Sequence, residues 1–208
     1  MPLTHNGMDT FVGKDLSKLT ECNCSCLKDE YPGSNSWLNN FILTQIVKAK
    51  LDDSTTKFAF ALLRKSEALF DEYEQACTQL SLFVLNEEKS VSPYFKCLHH
   101  FENSIALLYQ SYELVRKLIG KDLFNKDDGS SLQRLNSIYN DSRHSDLSLV
   151  PEGKLHRVWI DNKEISTARA SISFHEFEAM IREIGNISKQ FGEGELVEIL
   201  EKDQSTAD

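Results

Sequence analysis

Two stretches of apolar residues at helical spacing constrain this chain more than any other feature of it. Phe58, Leu62, Leu69, Tyr73, Ala76, Leu80 and Phe83 follow one another at intervals of three, four or seven. Leu98, Phe101, Ile105, Leu108, Tyr112, Val115 and Ile119 alternate threes and fours. A 3.6-residue period puts each set on one side of a helix, so each stretch predicts a long helix with a continuous apolar face. Asn86-Glu87-Glu88-Lys89 makes the turn between them. Ser92-Pro93 opens the second helix, with Ser as cap and Pro at the first helical position, and Gly120 stops it. Two long helices joined by a short turn fold back on each other as an antiparallel pair.

The remaining elements are shorter. Residues 1–35 hold Gly7, Gly13, Pro32, Gly33 and many polar residues, and are expected to form a loosely ordered leader. Trp37-Leu38, Phe41-Ile42 and Ile46-Val47 predict a first helix that starts after Ser36 and ends near Leu51. Ser54 or Thr55 is the expected cap of the long helix that follows. Asp127-Asp128-Gly129 is a turn, after which Ser130 caps a helix running to about His144, with Leu132, Leu135 and Ile138 on its buried side. The period then changes. Val158-Trp159-Ile160, Asp161-Asn162-Lys163 and Glu164-Ile165-Ser166 predict a β-hairpin at about 157–166. Ser173-Phe174-His175-Glu176 is a capping box, with Ile172 and Phe177 placed as the hydrophobic staple. The helix it starts carries Phe174, Phe177, Ile181, Ile184 and Ile187, and Gly192 and Gly194 break it. The fold class is therefore all-α: an antiparallel helical bundle over residues 36–190 with a small β-hairpin before the last major helix, then an acidic tail over 191–208.

Charge and cysteine usage narrow the functional classes. The formal charge is −9, of which the stretch from Glu176 to Asp208 holds −6. An acidic chain gets no general electrostatic help toward nucleic acid, so any such contact must come from a local patch. The acidic tail reads as a solvated helix end or a docking segment for a basic protein partner. No apolar run approaches the roughly 18 residues of a membrane span, and no membrane contact is expected. Five cysteines, an odd number, and no secretory signal at the start point to a reducing, cytoplasmic setting. Cys22, Cys24 and Cys26 lack the two-plus-two spacing of a zinc site and have no nearby His, so they read as part of a flexible segment.

Chemistry is concentrated on the helix from Ser130 to His144. Asn136, Asn140 and His144 recur every four residues and so stack on one face. Asn is a poor helix former with no local reason to appear twice in mid-helix. Tyr139 and Arg143 form a second pair beside it. An imidazole there can serve as acid, base or phosphate donor, and a guanidinium can clamp a phosphate. The same ridge also reads as a plain polar helix face whose side chains bond to each other and to the next loop.

Two long antiparallel helices followed by a shorter one ending in Tyr139-Asn140-Asp141-Ser142-Arg143-His144 resemble the HEPN superfamily. The likeness covers roughly residues 55–146. That family is an α-helical bundle whose signature is an Arg, a polar residue, three residues, then a His on a late helix. Asn140 matches the polar residue and His144 the His, while Tyr139 stands where the family has its Arg. The resemblance implies a homodimer with two signature helices facing one site. It also implies RNA as the substrate or ligand, and a bacterial toxin–antitoxin or antiviral-defence setting. In the catalytic form, a metal-independent endoribonuclease, His144, Asn140 and Arg143 carry the reaction and no cofactor or metal takes part. Asn136 and Tyr139 then line the site, with Glu102 and Tyr109 reaching it from the facing helix. In the other form the chain is a non-catalytic dimerising adaptor that keeps the fold, which the Tyr at position 139 and the acidic charge favour. His99 and Glu102, one turn apart, supply two ligand types but not a metal site. Trp159 is expected to build a satellite core or to anchor an interface.

Overall fold

The computed structural model describes residues 5–47, 51–85, 90–125, 128–143, 148, 150 and 152–194. Its six helices are α1 (His5–Phe11), α2 (Trp37–Val47), α3 (Asp53–Leu85), α4 (Ser92–Ile119), α5 (Ser131–Arg143) and α6 (Phe174–Glu193). Strands β1 (Trp159–Ile160), β2 (Glu164–Ser166) and β3 (Ser171–Ser173) form one antiparallel sheet in that order. The chain is thus predominantly helical, as its periodicity predicts.

α3 and α4 form the antiparallel pair. Their contacts descend on one helix as they rise on the other: Lys117 lies over Phe58, Lys65 bonds Gln110, Tyr73 meets Phe101 and Phe83 meets Tyr94. The apolar stripes are buried in this seam, from Leu62 to Phe83 and from Leu98 to Val115. Ile119, at the end of the stripe, is exposed instead. The cap of α3 is Asp52, whose carboxylate accepts from the amides of Ser54 and Thr55 at 2.9 and 3.0 Å. Both hydroxyl residues expected in that role stand inside the helix, because a carboxylate one position earlier reaches two orphan amides at once.

α6 lies across the pair. Ser173 and Glu176 close the expected capping box. Gly185 and Gly192 allow close approach: a Cβ on Gly185 would stand 2.9 Å from Phe70 and Tyr31, and one on Gly192 2.8 Å from Trp37. The helix therefore runs through Gly192, which the sequence reads as a break, and ends at Gly194, whose φ of +80° suits only glycine well. The serine hydroxyls of Ser66 and Ser188 meet at 2.7 Å in the α3–α6 contact.

Residues 5–35 differ from the expected loose leader. Met8, Leu16, Leu19 and Leu27 are buried against the helices. The Tyr31 hydroxyl donates to Asn186 at 2.9 Å. The Ser25 amide donates to the buried Glu178 carboxylate at 2.6 Å, which also accepts from Tyr73 at 2.8 Å. Asn162, in the β1–β2 turn, accepts from the amides of Thr20 and Glu21. These anchors are single residues spaced irregularly, so no periodicity announces them. The expected hairpin gains β3, which pairs with β2 through Ile165 and Ile172. Of the acidic tail expected over 191–208, residues 191–194 instead complete α6, with Phe191 buried in the core, and 195–208 lie outside the described residues, as does the turn at 86–89.

Candidate functional site

α5 is held from three sides. The Ser130 hydroxyl accepts from the Gln133 amide at 3.2 Å, which caps the helix as the sequence predicts. Arg134 pairs with Glu176 at the start of α6. Asp141, on the inner face, is buried and pairs with Arg169 from the β2–β3 loop, while its Oδ2 has no hydrogen-bond partner among the described residues. Leu135 and Ile138 fill the space beneath.

The outer ridge is internally paired. Asn140 Nδ2 donates to Asn136 Oδ1 at 3.0 Å. The Tyr139 ring stacks on Tyr109 of α4, with centroids 4.6 Å apart and planes 26° from parallel. Arg143 lies over the Tyr139 ring at 5.3 Å and donates to its hydroxyl at 2.5 Å. Burial, reinforced by the Glu113 carboxylate, pushes the Tyr109 phenol above its ordinary pKa. His144 lies outside the described residues. Of the expected site residues, the structure therefore brings together Asn136, Tyr139, Asn140, Arg143 and Tyr109.

Glu102 is elsewhere. It sits two turns before Tyr109 on α4, and its carboxylate lies 3.8 Å from His156 Nδ1. Two turns of helix rise carry it ~10 Å away from the ridge, too far for a side chain to span. Burial raises the Glu102 pKa, opposed by the nearby basic side chains of His156, Arg157 and His99. The neighbouring turn continues the polar band. His100 Nδ1 and Asn103 Nδ2 both contact Glu72 Oε2, at 2.7 and 3.2 Å, and Asn103 also meets His99 at 3.3 Å. No group of three or more His, Cys, Asp or Glu among the described residues is arranged to hold a metal ion.

His156 also borders a cleft of about 210 Å³ between the N-terminal segment and the loop before β1. Leu16, Tyr94, Lys154, Val158 and Trp159 line it. Lys154 Nζ lies over the Trp159 ring at 5.3 Å and donates to the Lys14 carbonyl at 2.9 Å. Burial lowers the Lys154 pKa. Asp15, at its edge, holds a left-handed φ of +67°, unusual for a non-glycine residue. This cleft is invisible in the sequence because one wall is residues 12–16. The one hint of it is Trp159, which serves as a cleft wall.

Set beside family models, curated proteins and solved structures, the chain matches none of them. Among the described residues no helix is long and apolar enough to cross a membrane. The class that fold and site define is a mostly helical protein with a small antiparallel sheet and a paired polar ridge on its fifth helix.

Proposed function

We propose that this chain is a non-catalytic, self-associating interaction module with a HEPN-like core. The observation that carries this reading is the engagement of Tyr139. The resemblance calls for an Arg there to hold a scissile phosphate. Here the residue is an aromatic ring stacked on Tyr109, and the neighbouring cation, Arg143, is bound to that same ring and hydroxyl. Asn140, matched to the family's polar residue, is bonded to Asn136. Loss of one transition-state charge donor costs on the order of 10²–10³ in rate. The net charge of −9 further opposes RNA.

An exposed apolar face on α2 supports self-association. Ile42, Leu43, Ile46 and Val47 are all exposed and fall at i, i+1, i+4 and i+5, so they share one side of the helix. Contiguous exposed apolar faces of this kind mark contact sites, and a second copy offers the identical face about a two-fold axis. Size-exclusion chromatography with light scattering, run beside an RNA cleavage assay, tests the reading. A dimer without cleavage is expected, and the Ile46→Glu, Val47→Glu pair should give a monomer with unchanged circular dichroism. Cleavage that His144→Ala abolishes would refute the non-catalytic assignment. A monomeric wild-type chain would refute self-association.

A further inference from the structure

Cys22 and Cys24 of the N-terminal segment meet Cys77 where that segment crosses α3. Cys22 Sγ lies 3.7 Å from Cys24 Sγ and 3.8 Å from the Cys77 carbonyl oxygen. The Ser81 hydroxyl, one turn further along α3, donates to Cys22 Sγ at 3.2 Å. Cys22 and Cys24 are both partly exposed, whereas Cys97 is buried. Residues 20–27 carry no regular secondary structure, so the two sulfurs can close the remaining gap by local backbone adjustment.

We propose that Cys22 and Cys24 form a peroxide-sensitive thiol pair, with Cys22 as the nucleophile and Cys24 as the resolving thiol. The chemistry needs one hydroperoxide. The Cys22 thiolate attacks a peroxide oxygen, the O–O bond breaks, and the sulfur becomes a sulfenic acid as hydroxide or alkoxide leaves and takes a proton. The Cys24 sulfur then attacks the sulfenic sulfur, the S–O bond breaks, and water carries away the oxygen with the Cys24 proton. Two thiols are oxidised to one disulfide and one peroxide is reduced.

The electrostatics agree with these roles. Hydrogen bonds from Cys24 and then Ser81 outweigh burial and hold the Cys22 pKa down to about 5. Cys24 is pushed the other way, first by its bond to Cys22, then by Cys77 and burial. The two shifts are opposite in direction, with Cys22 the more acidic thiol and Cys24 the one that holds its proton more tightly. Once Cys22 is a sulfenic acid, the negative charge that held the Cys24 proton is gone, and the second sulfur is freed to attack.

The full chain, treated with hydrogen peroxide at pH 6 and then alkylated, tests this. Trypsin cutting at Lys18 and Lys28 releases residues 19–28, which hold Cys22, Cys24 and Cys26. This peptide should lose two hydrogens while Cys26 stays alkylated. Cys22→Ser should slow oxidation of the peptide at least about tenfold, and Cys24→Ser should leave a Cys22 sulfenic acid that dimedone captures. Cys77→Ser should still form the disulfide. A first product at Cys26 or Cys97, a Cys24–Cys77 cross-link, or a Cys24→Ser chain that gives no dimedone adduct would overturn the proposal. The wild-type chain supplies a check that needs no variant. With most of Cys22 ionised at pH 6, and allowing for the weaker nucleophilicity of a low-pKa thiolate, iodoacetamide should react there about tenfold faster than with an ordinary peptide thiol. Equal rates would overturn it.

Discussion

Gly185→Ala sets two opposed effects against each other at one position of α6. In a solvent-facing helix this change stabilises by about 1 kcal/mol, because Ala loses less backbone entropy than Gly. Here the added Cβ would stand 2.9 Å from Phe70 Cζ, 2.9 Å from Tyr31 Cζ and 3.2 Å from Tyr31 Cε1, where ordinary contact begins at 3.4 Å. Both rings would have to retreat by roughly half an ångström. Neither is free to do so. The Tyr31 hydroxyl is bonded to Asn186 and to the Arg182 carbonyl. Phe70 packs against both Tyr31 and Trp37, with centroids 5.1 and 5.9 Å away, and those two rings also meet each other. Overpacking of a core contact costs about 1–3 kcal/mol, so the net change is a destabilisation of up to about 2 kcal/mol. For a chain of this size that lowers Tm by up to about 8 °C in a calorimetric or circular-dichroism melt. Phe70→Leu should shrink the penalty when combined with Gly185→Ala, giving a coupling of the opposite sign in a double-mutant cycle. If Gly185→Ala raised Tm, the close packing of α6 on Tyr31 and Phe70 would be refuted.

Three other outcomes follow from the same contacts. Burial raises the Glu176 pKa, but hydrogen bonds from Ser173 and Ser131 and the charge of Arg134 outweigh it, so the folded value lies below the ordinary 4.5. A depressed carboxylate contributes stability that is present above its unfolded pKa and lost as pH falls through the folded one. Glu176→Gln should therefore lower stability at pH 7 and flatten its decline below about pH 4.5 in urea titrations; an unchanged acid limb would count against this. Tyr139→Ala should cost about 2–4 kcal/mol and change the near-ultraviolet dichroism, since it removes both the stack on Tyr109 and the hydroxyl that Arg143 holds, whereas Tyr139→Phe should keep the stack and lose under about 1.5 kcal/mol. Equal effects of the two in thermal melts would sink the stacking argument. Asp141→Asn should destabilise by about 1–3 kcal/mol because it unpairs Arg169 from a buried partner, and Arg169→Lys should recover only part of the wild-type stability. A neutral Asp141→Asn would remove the case for that anchor.

The helices were legible in the sequence because each depends on a period that repeats for many turns. Phe58 to Phe83 and Leu98 to Val115 hold the register of one face, and their pairing follows from the short connection between them. The capping box at Ser173 and Glu176 is equally local: four consecutive residues carry the whole signal. The polar ridge was legible for the same reason, since Asn136 and Asn140 are four apart and one helical turn brings them together.

What lay between elements could only be decided in three dimensions. Glu102 and Tyr109 share one helix, yet Tyr109 stacks on Tyr139 while Glu102 meets His156, because α5 crosses α4 beside one turn and not the other. Met8, Leu16 and Leu27 gain burial as single residues dropped into gaps between helices, and such contacts leave no period to read. Cys22, Cys24, Cys77 and Ser81 come together only when the N-terminal segment is laid across α3. Local structure is set by interactions within a few residues, which the chain order states directly. The sites depend on distances between segments up to about 150 residues apart, such as Ser25 and Glu178, and those distances exist only once the helices have packed.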